Sequence, residues 1–525
     1  MIDDLRDHPD GAVIDTSLCI VGAGAAGITL ALQFADTRRD VLVLESGGKA
    51  LEADTQALYD VENVGLAVDP MIRSRLRMFG GTTNHWDGRC SPLDAIDFET
   101  RAWVPHSGWP ITRAQLDPYY ARAQAICDLG EPSYDDRVLA RLGIPDSGLD
   151  PGKLRPHVWM LSPPTRFGQK YEPALAQSKN IKLLLHANVV NLQTNAEASH
   201  LQHVEVATLA GKRARIRAQQ VVICCGGIEN ARLLLLSNSV EPAGLGNRRD
   251  LVGRFFQEHV RSWQQAVPTR TPFALRKIYN FYADGAARYH VGLCVSDELQ
   301  AKDGLLNCSA MTFFEGLGFS SSSAAMRLVR ALTQGELPPH PGDDVYSVLS
   351  DFDEIVMNLR ARFLLAGSES HSELATTLVV DSEQAPNPDS RIRLSEQRDA
   401  LGLRRSQIDW RLSELDRRSS LEMFRLIGAE WGRLNQARVR VPHWLSEARD
   451  DWAHNVRDVG HHIGTTRMAD DPRQGVVDRN CKVHGVDNLF IAGASVFPTS
   501  GNANPTLSIV ALTLRLAEHL GAQPS

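Results

Sequence analysis

Three glycines spaced G-x-G-x-x-G constrain this chain more than any other feature. Gly22, Gly24 and Gly27 follow an apolar, β-branched run, Leu18 to Val21, and precede an apolar segment of helical length. A second apolar run, Val41 to Leu44, ends in Glu45, 18 residues after the last glycine. The runs read as buried parallel strands, and Ser17 to Gly48 as one βαβ unit. One glycine makes the tight turn, one lets backbone approach a pyrophosphate, and one lets helix pack on strand. The helix that opens at Ala25, Ala26 and Gly27 faces phosphate with free N–H groups and a positive dipole end. Glu45, followed by Ser46, is placed to accept hydrogen bonds from a ribose. A merely structural βαβ unit is the competing reading. The flanking strands, the helix and the acid together favour a dinucleotide, without saying which.

The chain has 525 residues, too many for one ordinary core, so two or more domains are expected. Its 43% hydrophobic and 23% charged residues suit a soluble globular protein. A net charge of −7 argues against nucleic acid or an anionic membrane surface as the main partner. No apolar run reaches about 18 residues, so no membrane span is expected. The acidic start, M-I-D-D-L-R-D-H-P-D, lacks the apolar stretch of a signal peptide, which points to a cytoplasmic location. The eight cysteines form no C-x-x-C and no zinc spacing. Cys19, Cys224 and Cys225 fall inside apparent buried strands and read as free core thiols. No feature sets an oligomeric state.

Residues 1–16 read as a polar lead-in. A basic run, Arg73, Arg75 and Arg77, precedes the loop F-G-G-T-T-N-H-W-D-G-R-C-S-P, Phe79 to Pro92. Gly80, Gly81, Thr82 and Asn84 make that loop dense in donors, able to clasp a pyrophosphate or the rim of a flavin. His85 and Trp86 are unusual for a plain turn. Thr112 is a candidate N-cap for an amphipathic helix to Cys127, and residues 129–180 read as connections. Strands are expected at Ile181–His186 and Val189–Gln193, with a hairpin pairing 204–207 and 214–217. A second strand–glycine–helix junction follows at Gly226-Gly227. After about residue 260 the sequence alternates and turns aromatic, which suggests antiparallel strands. Strands are expected at 373–381 and 407–411, and helices at 346–366 and 413–436. The breaker-rich 314–345, with a helical piece at 324–333, reads as a lid, a docking insertion or a surface loop. The chain thus divides into 1–260 with 456–525, and a second unit at 261–455.

The last 70 residues concentrate chemistry. Taking a hydride from an alcohol needs a held electron acceptor, a base for the hydroxyl proton and a group that orients the oxygen. His461 or His462, with Asn504 or Asn502, supplies such a pair. Neighbouring histidines on a strand point to opposite faces and no third ligand is at hand, so no metal is expected.

Taken together these motifs resemble the glucose–methanol–choline (GMC) oxidoreductases, FAD-dependent alcohol and sugar oxidases and dehydrogenases. Ser17–Gly48 resembles the family's FAD fingerprint, and Gly80–His85 its flavin-rim loop. Val221–Leu235 and V-G-R-F-F-Q-E-H-V, Val252 to Val260, are similar to its internal signature and domain-crossing segment. H-x-x-G-T at His461–Thr465 and N-P-T at Asn504–Thr506 resemble its catalytic end. The internal signature departs from the family pattern, reading C-C-G-G-I-E-N. The resemblance implies an α/β FAD-binding domain, Rossmann-like and of glutathione-reductase type. It also implies an α+β substrate domain built on a mostly antiparallel sheet. It places His461 at the catalytic histidine and Asn504 at the second catalytic position, as in pyranose and choline oxidases. His462 then becomes a structural neighbour. Val189 or Val190 would offer backbone to the adenine, Asp478–Val483 and Gly493-Ala494 would lie near the flavin and its pyrophosphate, and Pro505 and Thr506 would bind the cofactor as well. In pyranose- and choline-oxidase-like members a histidine at the place of His85 is bonded to the flavin. Some related sugar dehydrogenases carry it without the bond, and both remain open for His85.

The expected function is oxidation of a small-molecule alcohol, a hydroxyl of a sugar, glycoside or aminoglycoside above all. His461 would take the proton, flavin N5 the hydride, and oxygen or a quinone-like compound the electrons. Aryl or aliphatic alcohols, a non-redox lyase on the same fold and a nicotinamide enzyme are the rivals.

Overall fold

The computed structural model describes residues 1–269, 272–314, 376–447 and 451–523. The expected insertion at 314–345, beyond Phe314 itself, and the expected helix at 346–366 lie outside the described residues.

The first sheet has eight strands. Five neighbours run Ile2–Asp4, Ile181–Leu185, Val41–Leu44, Ala12–Val21 and Arg213–Ile223, every adjacent pair parallel. Leu489–Ile491 adds in parallel to the end of Arg213–Ile223. Leu201–Ala207 and Asn188–Thr194 complete the sheet as an antiparallel extension. Leu18–Val21 and Val41–Leu44 are fully buried, as near-continuous apolar runs require in a sheet covered on both faces. Their register pairs Leu18 with Val41 and Val21 with Leu44. Gly22 and Glu45 therefore emerge side by side at the carboxyl edge, where open α/β sheets bind ligands. The helix Ala25–Gln33 covers one face and packs on the C-terminal helix Thr506–Gly521, whose apolar side chains are largely buried.

The second sheet has eight strands, all antiparallel. Its path runs Ala437–Val439, Val260–Pro268, Thr376–Ser382, Cys308–Phe314, Ala287–Val295, Leu154–Leu161 and Arg89–Cys90, with Phe281–Asp284 paired to Ala287–Val295. The helix Glu414–Arg433 packs against it, opened by a reciprocal Ser413–Asp416 capping box. A third, three-stranded sheet joins Arg391–Arg398, Arg404–Asp409 and Val61–Asn63.

Four expectations change. The lead-in 1–16 is structured: Ile2–Asp4 is an edge strand, and Ala12–Thr16 begins the long second strand. Three residues with two aspartates carry no apolar pattern, so nothing in the sequence marks that edge. Residues 129–180 hold the strand Leu154–Leu161 and the helix Phe167–Gln177, both interrupted by a proline that masks their period. Cys224 and Cys225 lie just past the strand that ends at Ile223, in the turn to the next helix. Finally, two strands of the second sheet, 89–90 and 154–161, come from outside 261–455. The loop after Gly80-Gly81 thus starts beside the dinucleotide glycines and finishes as the outer strand of the other sheet.

Candidate active site

Three helices aim their N-termini at one cavity of about 380 Å³. They start after Gly24, Cys225 and Pro505, and none has a side-chain cap on its first N–H groups. Open helix N-termini bind anions. Gly22, Gly24, Ala25 and Ala26 line the cavity opposite Gly81 and Thr82. A Cβ on Gly81 would meet the Gly24 Cα at 3.1 Å, so a side chain on Gly81 would press on the backbone of the first glycine turn. Glu45, Ser46, Ala187 and Val189 line a second part. Gly226, Gly493, Ala494, Pro505 and Thr506 line it as well, with His85, His461, His462 and Asn504.

Four of the residues singled out in the sequence lie behind this surface. Gly27 is buried, where a Cβ would strike the Gly22 carbonyl oxygen, so it serves helix–strand packing. Gly80 has a left-handed φ of +91° and donates its N–H to the Ala23 oxygen at 2.9 Å. Asn84 Nδ2 braces the loop by donating to the Phe79 and Gly81 oxygens, each at 2.9 Å. Val190 is buried and Val189 faces the cavity, as strand alternation dictates.

The donor set fits FAD. Glu45 accepts the Ala23 and Gly47 N–H groups at 3.0 and 2.9 Å, which holds the carboxyl at the strand end. Burial pushes its pKa up. The side-chain-free glycine cradle suits a pyrophosphate, and the polar His461–Asn504 end suits a ring that exchanges a hydride.

Asn504 Nδ2 lies 3.4 Å from His461 Nε2. Asn502 is not part of that pair: its Nδ2 donates to Asn307 Oδ1 at 2.8 Å and fixes the loop to the second sheet. The His462 ring stacks on Phe256 at 6.0 Å. Burial is the first cause that lowers both histidines. His461 falls well below the ordinary imidazole value, with His259, Arg261, His462 and Arg89 adding to the effect, and His462 falls to about 3. Both rings are neutral at neutral pH. His85 is held at about 4, first by burial and then by Arg166.

Several neighbours fall in stretches noted in the sequence, but without a role in the site. Gln257 and Ile463 form an antiparallel bridge, and the same register sets His259 opposite His461. Their Nδ1 atoms are 2.7 Å apart. Glu258 Oε2 accepts the His461 backbone N–H at 2.7 Å. The basic run reaches the cavity through Arg75 and Arg77, which stack on Tyr59 at 4.0 and 4.8 Å and pair with Glu229 at 3.0 and 3.3 Å. Burial opposes the charge on Glu229, yet Arg232, Arg75 and Arg77 hold it at about 2. Arg261 is neutralised by Asp381, bidentate at 2.7 Å. Arg89, by contrast, lines the cavity with its buried Nε unpartnered, and burial lowers its pKa.

Among the described residues no group of three or more metal-ligating side chains occurs, and no helix is long and apolar enough to cross a membrane. Such a site, with an FAD cradle at a parallel sheet edge and a histidine–asparagine pair under an antiparallel sheet, defines a flavin-dependent alcohol oxidoreductase.

Comparison with known proteins agrees. The family model described as GMC oxidoreductase matches residues 386–513. The chain is 23% identical to 2-methyl-1,2-propanediol dehydrogenase of Mycolicibacterium austroafricanum, over 96% of this chain and 95% of that one. It is also 23% identical to the fructose dehydrogenase large subunit of Gluconobacter japonicus, over 96% and 97%. In fold it is similar to pyridoxine 4-oxidase from Mesorbium loti, with TM-score 0.59 and 19% identity, over 97% of this chain and 100% of that one. The family match at the C-terminal end and the relatives aligned along nearly the whole chain make this an FAD-dependent oxidoreductase acting on CH–OH groups, similar to the GMC oxidoreductases.

Proposed function

We propose that this enzyme oxidises a hydroxyl of a sugar, glycoside or aminoglycoside, with His461 as base and Asn504 as the group that orients the substrate oxygen. The observation that carries the pairing is the 3.4 Å approach of Asn504 Nδ2 to His461 Nε2 at the cavity wall. His461 Nε2 accepts the hydroxyl proton. Asn504 Nδ2 donates to the same oxygen and fixes the carbinol carbon for departure of its hydride. FAD, when bound, supplies the two-electron acceptor. Loss of one proton and one hydride leaves a carbonyl. Both side chains are half-buried, and preorganised donors act more strongly away from water.

The Arg89 guanidinium lies near Asp87, which also lines the cavity, and near Asp381, so this wall carries both signs of charge. Among the relatives, one is named for fructose, one for a diol, one for paromamine and one for 6'''-hydroxyparomomycin C. The eight free thiols are in keeping with a cytoplasmic location. The chain is divided in this reading into an FAD unit, 1–260 with 456–525, and a substrate unit, 261–455, to which strands 89–90 and 154–161 contribute.

The test is anaerobic mixing of the holoenzyme with D-glucose, methyl β-D-glucoside, D-glucuronate, paromamine and benzyl alcohol, followed by flavin absorbance. Bleaching by the sugars supports the reading. Bleaching by benzyl alcohol alone, or by none of them with aldehyde release from a cyanohydrin, would replace it with the aryl-alcohol or lyase reading. Repeating turnover with oxygen and with a quinone dye assigns the acceptor. Acid denaturation assigns the state of His85: yellow colour in the pellet means a bond, and in the supernatant none.

A further inference from the structure

We infer that His259 is the positioning residue that fixes the tautomer of His461 and leaves His461 Nε2 bare for the substrate proton. The inference rests on the reading of His461 as base, and it follows from three contacts. His259 Nε2 lies 2.8 Å from the Gly501 carbonyl oxygen. A carbonyl only accepts, so Nε2 of His259 carries hydrogen. His259 is 1% exposed, and burial lowers its pKa, so its ring holds one proton. Its Nδ1 is then a lone pair. His461 Nδ1 lies 2.7 Å from that lone pair and must donate to it. With its single proton on Nδ1, His461 presents an unprotonated Nε2 to the cavity, next to the Asn504 amide at 3.4 Å.

The opposite tautomer would set two lone pairs against each other at 2.7 Å in a buried site. The chain of contacts also closes on itself. Gly501, which orients His259, lies three residues before Asn504, so one loop sets both the base and its partner. The groups facing the two rings are Asp381 and Glu383 near His259, and Arg261, Arg89 and His462 near His461. Among the described residues no carboxylate is hydrogen-bonded to either ring, so the orienting group is a neutral imidazole.

The backbone geometry accounts for this pair. The register that bridges Gln257 to Ile463 makes 259 and 461 cross-strand neighbours, and Gly464, at φ +87°, packs against the Phe255 backbone beside it.

The test uses the holoenzyme with histidine ring nitrogens labelled, assigned by a His461→Asn variant and read by long-range nitrogen–proton NMR. The expected wild-type spectrum has His461 protonated at Nδ1 and bare at Nε2 between about pH 6 and 9. His259→Phe removes the acceptor, and the His461 signal should move toward the other tautomer. His259→Asn places an oxygen near the Nδ1 position, and it should restore the wild-type tautomer. In anaerobic flavin reduction with methyl β-D-glucoside, His259→Phe should lose about ten- to a hundredfold in rate with little change in half-saturation, and His259→Asn should recover most of it. A wild-type His461 protonated at Nε2, or a His259→Phe variant with an unmoved tautomer, overturns the inference. The expected tautomer together with no bleaching by any alcohol would leave the inference standing and sink the reading of function instead.

Discussion

Glu258 Oε2 accepts the backbone N–H of His461 at 2.7 Å, so the residue before His259 holds the main chain of the same histidine whose ring His259 meets. Burial, and then the nearby Asp458, push Glu258 well above the usual carboxylate range, which favours its uncharged form. Glu258→Gln keeps an acceptor oxygen and should leave stability and flavin reduction close to wild type. Glu258→Ala strands a buried N–H group, which costs about 1–3 kcal/mol. Denaturant unfolding and reduction kinetics on both variants check this. Loss of activity in Glu258→Gln would mean that the carboxyl acts as an anion.

Asp458 and Asp416 predict a pH dependence of stability. Burial raises both to about 6. Folding therefore favours their protonated forms. Their contribution is fully present below the ordinary carboxylate pKa, near pH 4, and is lost as pH rises through about 6. A shift of about two units corresponds to up to roughly 3 kcal/mol for one such group. Asp458→Asn should flatten this part of the stability curve in melts taken from about pH 4 to 7. An unchanged slope would contradict the assignment.

The Glu229 cluster predicts a structural failure with a cofactor readout. Glu229 is the shared anion of Arg75, Arg77 and Arg232 at the cavity wall. Glu229→Gln leaves the buried Arg75 and Arg77 without their carboxylate, while Arg232 keeps Asp399 at 2.6 Å, and should cost about 3–5 kcal/mol. Purified protein should hold less flavin, measured by absorbance per chain. Glu229→Asp should fall between the two. Full flavin occupancy in Glu229→Gln would show that the arginines do not depend on this anion.

Gly227 lies where a side chain would collide with the carbonyl of His462. Gly227→Ala should push the histidine loop outward while leaving Glu45 and the first glycine turn in place. A displacement of about 1 Å at the reacting groups costs roughly a hundredfold in rate. The expected variant stays yellow and reduces slowly. A colourless variant would place the damage at the FAD cradle instead.

Much of the cradle is legible in local sequence, because each part is written in consecutive residues. Gly22 to Gly27, Val41 to Glu45 and Asn504 to Thr506 carry their own turn, strand and helix signals. The helix expected at Arg113–Cys127 forms over Arg113–Ile126, with Thr112 and Gln115 capping each other. The strand Val41–Leu44 has the bounds its apolar run suggests. What local pattern cannot carry is pairing across long separations. His259 meets His461 only because 257 pairs with 463, and Arg89 reaches the cavity only because its loop ends on the second sheet. The edge strand Ile2–Asp4 is invisible for the same reason, since its partner lies at Ile181–Leu185.

The central claim is that His461 takes the proton of an alcohol whose hydride leaves to the flavin. It is tested most directly by anaerobic reduction of flavin in His461→Ala, using an alcohol that bleaches the wild type. The variant should retain its flavin and reduce it about a hundred- to ten-thousandfold more slowly. In the wild type the rate should stay level from about pH 6 upward, because burial holds His461 below the ordinary imidazole value and keeps its base form. Flavin reduction in His461→Ala at the wild-type rate would contradict the account.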